Sequence, residues 1–339
     1  MAAPIHAFIC GVAGTVLSEE EKSFLAQTRP FGVILFARNC ETPAQVKALV
    51  ADIRACLNHP LISILIDQEG GRVARLKPPH WRAYPPAGRF AAMAETDIEL
   101  ARRCTYINAR LIAYDLRQLG INTDCAPLAD IPVKGAHDII GDRAFGAAPE
   151  QVIALARAQA EGLHEGGVMS VLKHIPGHGR ATADSHEDLP VVTAPLEELE
   201  ATDFVPFKSL ANLPMGMTAH ILYTALDAER VATLSPIVID YIRQKIGFEG
   251  LLMSDDVSMK ALKGDMDSLA RGILDAGCDL VLHCNGKMDE MQAIASAVRP
   301  LEGRALERAQ RAFAAPKLHG DTPETLIAEI DRILPGIYA

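Results

Sequence analysis

No stretch of this chain approaches the roughly 20 consecutive apolar residues of a membrane-spanning helix. Nor does a basic segment precede the first apolar run, IHAFICGVAGTVL, which leads directly into SEEEK; a strand and turn are expected there, not a leader peptide. Lysine and arginine form no cluster, and 33 of them against 43 Asp and Glu leave a formal net charge of -10. Phosphate backbones need a basic face, so nucleic acid is excluded and a neutral or cationic small ligand is the easier partner. Paired cysteine motifs are missing as well. Cys10, Cys40, Cys56, Cys104, Cys125, Cys278 and Cys284 show no CxxC spacing, and most lie inside apolar segments. Such thiols pack as small hydrophobes, and an odd, scattered set points to a reducing compartment, here expected to be the cytoplasm. No low-complexity segment or internal repeat interrupts the chain, and nothing calls for a cofactor.

What the chain has in quantity is short apolar runs. With 339 residues, 49% of them apolar, it can bury a large core. Eight runs end in polar or charged residues: IHAFICGV (5–12), FGVILFARN (31–39), ISILIDQEGG (62–71), INTDCAPLAD (121–130), GVMSVLKH (167–174), LPMGMTAH (213–220), GLLMSDD (250–256) and CDLVLHCN (278–285). They are near-continuous rather than alternating, as expected of parallel strands covered on both faces. Helical signals lie between them. Thr42-Pro43 with Gln45, and Ser18 with Glu21, have capping-box spacing, and Val46, Leu49, Val50, Ile53 and Leu57 trace one apolar face. Ser235-Pro236 opens a helix that Gly247 closes, and Gly120 and Gly166-Gly167 end two others.

Eight strand–helix units favour an α/β fold closed as a (β/α)8 barrel over a doubly wound sheet, for which GVAGT is a poor phosphate turn. One domain over 1–339 is expected, acting as a monomer, with the helices from about 286 packing outside. Segments 72–97 and 131–148 read as rim loops.

In such a barrel, reactive side chains project from the C-terminal strand ends. Those ends read Arg38-Asn39, Asp67-Gln68-Glu69, Asp130, Lys173-His174, His220, Asp255-Asp256, and His283 with Asn285, whereas the strand starts are uncharged. Polar groups at a barrel mouth can be purely structural, but the asymmetry favours a site. The richest stretch is KHIPGHGRATADSHEDLP, residues 173–190. A metal is not expected there, because Pro176 and Gly177 break the helical geometry that would turn His174 and His178 to one ion. Proton transfer fits better. Asp184 stands two residues from His186 on a loop, and a carboxylate holding an imidazole fixes its tautomer and favours its charged form. A D-x-H on a bare loop is commonly solvated, yet this one follows a strand ending in Lys173-His174. In LLMSDDV only one of the two adjacent carboxylates can face the axis, and Asp255 is the inward choice; the competing structural reading has Asp256 cap the next helix and Asp255 bind a loop. An inward carboxylate opposite a protonatable His is the minimum equipment for displacement at an acetal carbon.

Together IDQEGGRVARL, GDRAFG, KHIPGHGRATADSHEDLPVV and LLMSDDVSM resemble the family 3 glycoside hydrolases, most closely the single-domain bacterial β-N-acetylhexosaminidases of peptidoglycan recycling. The likeness runs from the first strand to about residue 286, and the second domain of many relatives is not expected here. The resemblance implies Asp255 as the nucleophile of a retaining mechanism and His186, with Asp184, as the acid/base. It implies that Asp67 grips sugar hydroxyls, that Arg75, Arg143, Lys173 and His174 are further substrate contacts, with Arg143 reading the 2-acetamido group, and that His178 is scaffold. The implied substrate is a terminal β-linked N-acetylglucosamine on a 1,6-anhydro-muropeptide, with no metal, membrane or nucleic-acid partner. Nucleophile and acid would stand about 5 to 5.5 Å apart, and the Pro and Gly of the loop would let it carry His186 over the sugar. Ile175 replaces an expected Phe, and Gly286 an expected Arg at the mouth, where leaving-group tolerance would change. A phosphorylase, a β-glucosidase or β-xylosidase, and a non-catalytic sugar-binding barrel are the competing expectations.

Overall fold

Eight parallel strands close on themselves in the computed structural model, which describes residues 3–133, 135, 139–181 and 189–338. They are β1 (His6–Cys10), β2 (Pro30–Leu35), β3 (Ser63–Ile66), β4 (Thr123–Asp124), β5 (Met169–Ile175), β6 (Met215–Thr218), β7 (Leu251–Asp256) and β8 (Leu280–His283). Each pairs with its chain neighbours, and β1 pairs with β8 through Phe8 opposite Val281. The expected (β/α)8 barrel is the observed fold, with one strand in each apolar run. Helices outside and side chains inside leave no face for water, and every residue of β2, β3, β5, β6 and β8 is buried.

Several local readings are modified. The run 121–130 forms only two residues of regular strand because Pro127 has no N–H to continue the ladder. The chain nevertheless stays beside β5: Ala126 and Pro127 accept from Val171 and Lys173, and Ala129 donates to Lys173 O. Asp130 is thereby carried to the rim. Ser18 and Glu21 form the reciprocal capping box. Gln45 does not: Thr42 accepts from its amide at 3.3 Å, but its side chain turns back to Glu41 N. Segment 72–97, expected to be loop, contains a helix at Ala87–Ala94 that buries Phe90. It has only eight residues and no side-chain cap, so the sequence carried little signal for it.

Helix Ile98–Gln118 packs along Pro149–Glu165, which in turn packs on β5, and of the chain's last helices Met288–Ala297 meets β1, Gly303–Ala314 meets β7 and Pro323–Ile333 meets Ile98–Gln118. The last is tied to the first of these by a two-pronged Arg103–Glu329 pair, both contacts at 2.7 Å. No helix among the described residues is long and apolar enough to cross a membrane. All seven thiols are free, and burial pushes those of Cys10 and Cys278 up to about 12, as expected of packing residues.

At the end of the barrel away from the polar rim, Asp279 precedes β8. It accepts from Arg243 at 2.8 Å, Arg308 at 3.0 Å and the amide of Leu252 at 2.9 Å. Replacing it by Ala strands two shielded guanidinium groups. Asp279→Ala is expected to cost about 3 to 5 kcal/mol of stability, read as a lower urea midpoint, while the fraction still folded keeps its active-site properties.

Candidate active site

The C-terminal strand ends enclose a cavity of about 290 Å³, at the lower end of small-molecule sites. Its walls include Asp67, Arg75, Arg143, Lys173, His174 and Asp255. Six of the eight residues singled out from the sequence thus converge on one cavity. The other two, Asp184 and His186, lie outside the described residues, as does the separation between His186 and Asp255.

One wall is a chain of alternating charge. The Lys173 ammonium stands 2.8 Å from Asp67 Oδ1 and 2.6 Å from Glu69 Oε1. Asp67 Oδ2 accepts from Arg75 at 3.0 Å. Glu69 meets Arg143 in a fork, Nε at 2.9 Å and Nη2 at 2.8 Å. Burial would neutralise Asp67, Glu69 and Lys173, but the neighbouring charges outweigh it. Asp67 is held well below the usual carboxylate range by Lys173 and Arg75 despite its burial, and Glu69 falls to about 2 under Lys173 and Arg143. Lys173, which burial alone would deprotonate, is held above its ordinary value by the two carboxylates. Asp67, Glu69 and Lys173 are therefore ionised at neutral pH. Glu69, seen in the sequence only as part of a polar strand end, is the partner that orients Arg143. The signal was its i+2 spacing from Asp67, which sends both side chains to the same side of an extended chain.

A second arm fixes an imidazole. His174 Nδ1 is 2.7 Å from Asp130 Oδ2, and Asp130 Oδ1 accepts from the amides of His178 at 2.7 Å and His174 at 3.3 Å. A carboxylate cannot donate, so Nδ1 carries a proton and Nε2 faces the cavity. Despite burial, the His174 side chain and the His178 amide hold Asp130 below its ordinary value. Asp130 was visible only as a strand end. His178 packs edge-on against His174, ring centres 5.4 Å apart, and burial lowers it to about 4, so it stays neutral.

The two carboxylates of β7 differ. Asp256 is consumed by structure: Ser258 N and Cys284 N donate to Oδ1 at 3.0 and 3.1 Å, and Ser258 Oγ donates to Oδ2 at 2.7 Å. Asp255 has Oδ1 on the Asp256 N–H at 2.8 Å. Its Oδ2 lies 4.0 Å from His174 Nε2, too far for a hydrogen bond. Burial pushes Asp255 up, but His174, His220 and the Asp256 amide outweigh it and hold it below the usual carboxylate range. A charged carboxylate with one uncommitted oxygen in a cavity is chemically a nucleophile or an electrostatic stabiliser.

Two glycines are held by close approach of neighbouring chain. A Cβ on Gly179 would stand 1.7 Å from Ile131 O, so glycine is required there by close approach of two chains. Gly177 O accepts from Tyr223, and Arg180 is pinned to Asp203 at 2.7 Å and Glu198 at 2.7 Å. At Gly286 φ is +76° and a Cβ would meet Val12 C at 2.8 Å, so the backbone as it stands here favours glycine.

Comparison with known proteins agrees with this geometry. The model of the glycosyl hydrolase family 3 N-terminal domain matches residues 10–313. The chain is 40% identical to the beta-hexosaminidase of Alkalilimnicola ehrlichii over 279 residues, covering 81% of this chain and 79% of that protein. Native NagZ of Neisseria gonorrhoeae superposes with a TM-score of 0.88 at 31% identity, covering 99% of this chain and 98% of that one. NagZ of Neisseria gonorrhoeae in complex with N-trifluoroacetyl-D-glucosamine gives 0.84 at 31% identity over 98% and 95%. The chain therefore belongs to family 3 of the glycosyl hydrolases, as a glycoside hydrolase of the β-N-acetylhexosaminidase type.

Proposed function

We propose that the protein is a retaining exo-β-N-acetylglucosaminidase that removes a terminal β-linked N-acetylglucosamine from 1,6-anhydro-muropeptides during cell-wall recycling in the cytoplasm, acting as a monomer. The observation that carries the mechanism is the inequivalence of the Asp255 oxygens. Oδ1 is held by a main-chain N–H, and Oδ2 is ionised and turned into the cavity. A cavity of about 290 Å³ walled by strand ends suits a single terminal sugar better than a threaded polymer. The N-trifluoroacetyl-D-glucosamine held by the neisserial relative supports an N-acylated amino sugar.

In the first step Asp255 Oδ2 attacks C1 from below, and the C1–oxygen bond breaks. The leaving oxygen takes a proton from the His186 imidazolium, which Asp184 favours. In the second step neutral His186 removes a proton from water, the hydroxide attacks C1, and Asp255 is released as a carboxylate. Asp67 accepts from sugar hydroxyls while Lys173 and Arg75 hold it. Arg143, with Glu69 fixing its fork, presents its remaining N–H groups to the acetamido side, and His174 Nε2 bonds a ring hydroxyl near the reacting carbon.

Asp255→Ala and Asp255→Asn are expected to abolish turnover of a chromogenic N-acetylglucosaminide in a folded protein, and a 2-fluoro sugar is expected to label the peptide containing residue 255. Parental rates in either variant would remove Asp255 from the mechanism. For His186→Ala, the loss is expected to be about 10²- to 10⁴-fold with a disaccharide and much smaller with an acidic phenol; equal losses would count against an acid role. Asp255 must be ionised to attack, so the acid limb of kcat/KM should lie below about pH 4 and activity should fall as pH drops through it. Sugar 1-phosphate formed in phosphate buffer would instead identify a phosphorylase, and preference for a glucoside or xyloside would displace the acetamido assignment.

A further inference from the structure

Attack by Asp255 Oδ2 depends on Oδ1 staying on the Asp256 N–H, and hence on whatever fixes the Asp256 backbone. Four ties belong to the rim: Val257 N donates to Leu282 O at 2.9 Å, Met259 N donates to Asp256 O at 3.1 Å, and the Asp256 side chain accepts from Ser258 and Cys284. A fifth, on the same carbonyl oxygen as Met259, comes from a residue with no part in the mechanism above. His220, just beyond β6 and wholly buried, places Nε2 3.0 Å from Asp256 O.

The geometry also assigns the ring's proton. A carbonyl oxygen only accepts, so Nε2 is the donor. A neutral ring then has a lone pair at Nδ1, which lies 2.8 Å from Thr233 Oγ1. Thr233 also stands 2.9 Å from Thr218 Oγ1 and 3.1 Å from Ala219 O. It has one hydrogen. If Thr233 gives it to Nδ1, Thr218 donates to Thr233 and the ring is neutral; if Thr233 gives it to Ala219, the ring needs a second proton. Among the described residues, the charged or titratable groups facing His220 are Asp255, Asp256 and His174, and burial outweighs the two carboxylates, lowering its pKa. The neutral arrangement is the one that fits.

We propose that His220, its tautomer set by the Thr233 hydroxyl, is a positioning residue for the nucleophile. It anchors the Asp256 backbone so that Asp255 keeps Oδ1 on the Asp256 amide and Oδ2 toward the sugar. This rests on Asp255 being the nucleophile. Thr233→Val removes the donor and releases the other tautomer, whose Nε2 lone pair would face the Asp256 carbonyl. Thr233→Ser keeps the donor.

The test compares parent, Thr233→Ser, Thr233→Val and His220→Leu by kcat and KM on a phenyl N-acetylglucosaminide, by the pH profile of kcat/KM, and by Tm. Thr233→Ser should match the parent. Thr233→Val and His220→Leu should lose about 10- to 100-fold in kcat with KM less affected. The acid limb should move to higher pH, because a loosened Asp256 backbone weakens the Asp256 N–H bond that helps to hold Asp255 low. The other described groups facing Asp255, namely His174, His178, Lys173, Asp256, Cys125 and Cys284, are unchanged in these variants. A lower Tm with parental kcat and acid limb, or a serine variant as slow as the valine variant, overturns the proposal. If His220→Leu does not fold, the two Thr233 variants decide it. A 2-fluoro sugar label on residue 255 of the parent separates the two assignments: with the label present and the variants normal, only the positioning role falls, and with residue 255 unlabelled, both fall.

Discussion

The Lys173 ammonium between Asp67 and Glu69 is the contact on which the site depends. A nearly inaccessible cation in a barrel mouth is unfavourable unless its hydrogen bonds and charge are met, and here two carboxylates meet them at 2.8 and 2.6 Å. Those carboxylates in turn recruit Arg75 from the loop after β3 and Arg143 from the turn at 141–143. One lysine on β5 thereby fixes the positions of two loops that have little regular structure of their own. The wall it creates is polar, with its charges paired in alternation.

The paired carboxylates at the end of β7 divide the labour by environment rather than by chemistry. Asp256 spends both oxygens on Ser258 and Cys284 and closes the seam between β7 and β8. Asp255 spends one, on the neighbouring amide, and is left with one charged oxygen for the cavity. The same division recurs across the mouth, where Asp130 is committed to His174 and His178 while the outer nitrogen of His174 stays available. Inner partners hold outer ones, and the outer ones keep an uncommitted polar atom for the cavity.

Much of this was legible in the chain. Near-continuous apolar runs located all eight strands because a parallel barrel is covered on both faces, so its strands carry no polar alternation to obscure them. Listing their final residues picked out Asp67, Lys173, His174 and Asp255 because strand direction alone sends those side chains to one rim. The loop residues Arg75 and Arg143 came from family motifs, since no local pattern marks a guanidinium that folds back over a barrel. The helix at 87–94 was missed for want of a cap, and the close approaches at Gly179 and Gly286 left no mark, because a glycine required by close approach looks the same in sequence as one required for flexibility.

The sequence by itself determined the barrel, the end of it that carries the chemistry, and the inventory of charged groups there. These follow from periodicity and strand direction, which are properties of a segment and its neighbours. Only the tertiary structure decided which charges meet: that Glu69 holds Arg143, that Asp256 is committed and Asp255 is not, and that His220 reaches the Asp256 carbonyl from a different strand. Hydrogen bonding acts over about 3 Å, so these pairings depend on packing between distant segments, and no local pattern encodes them.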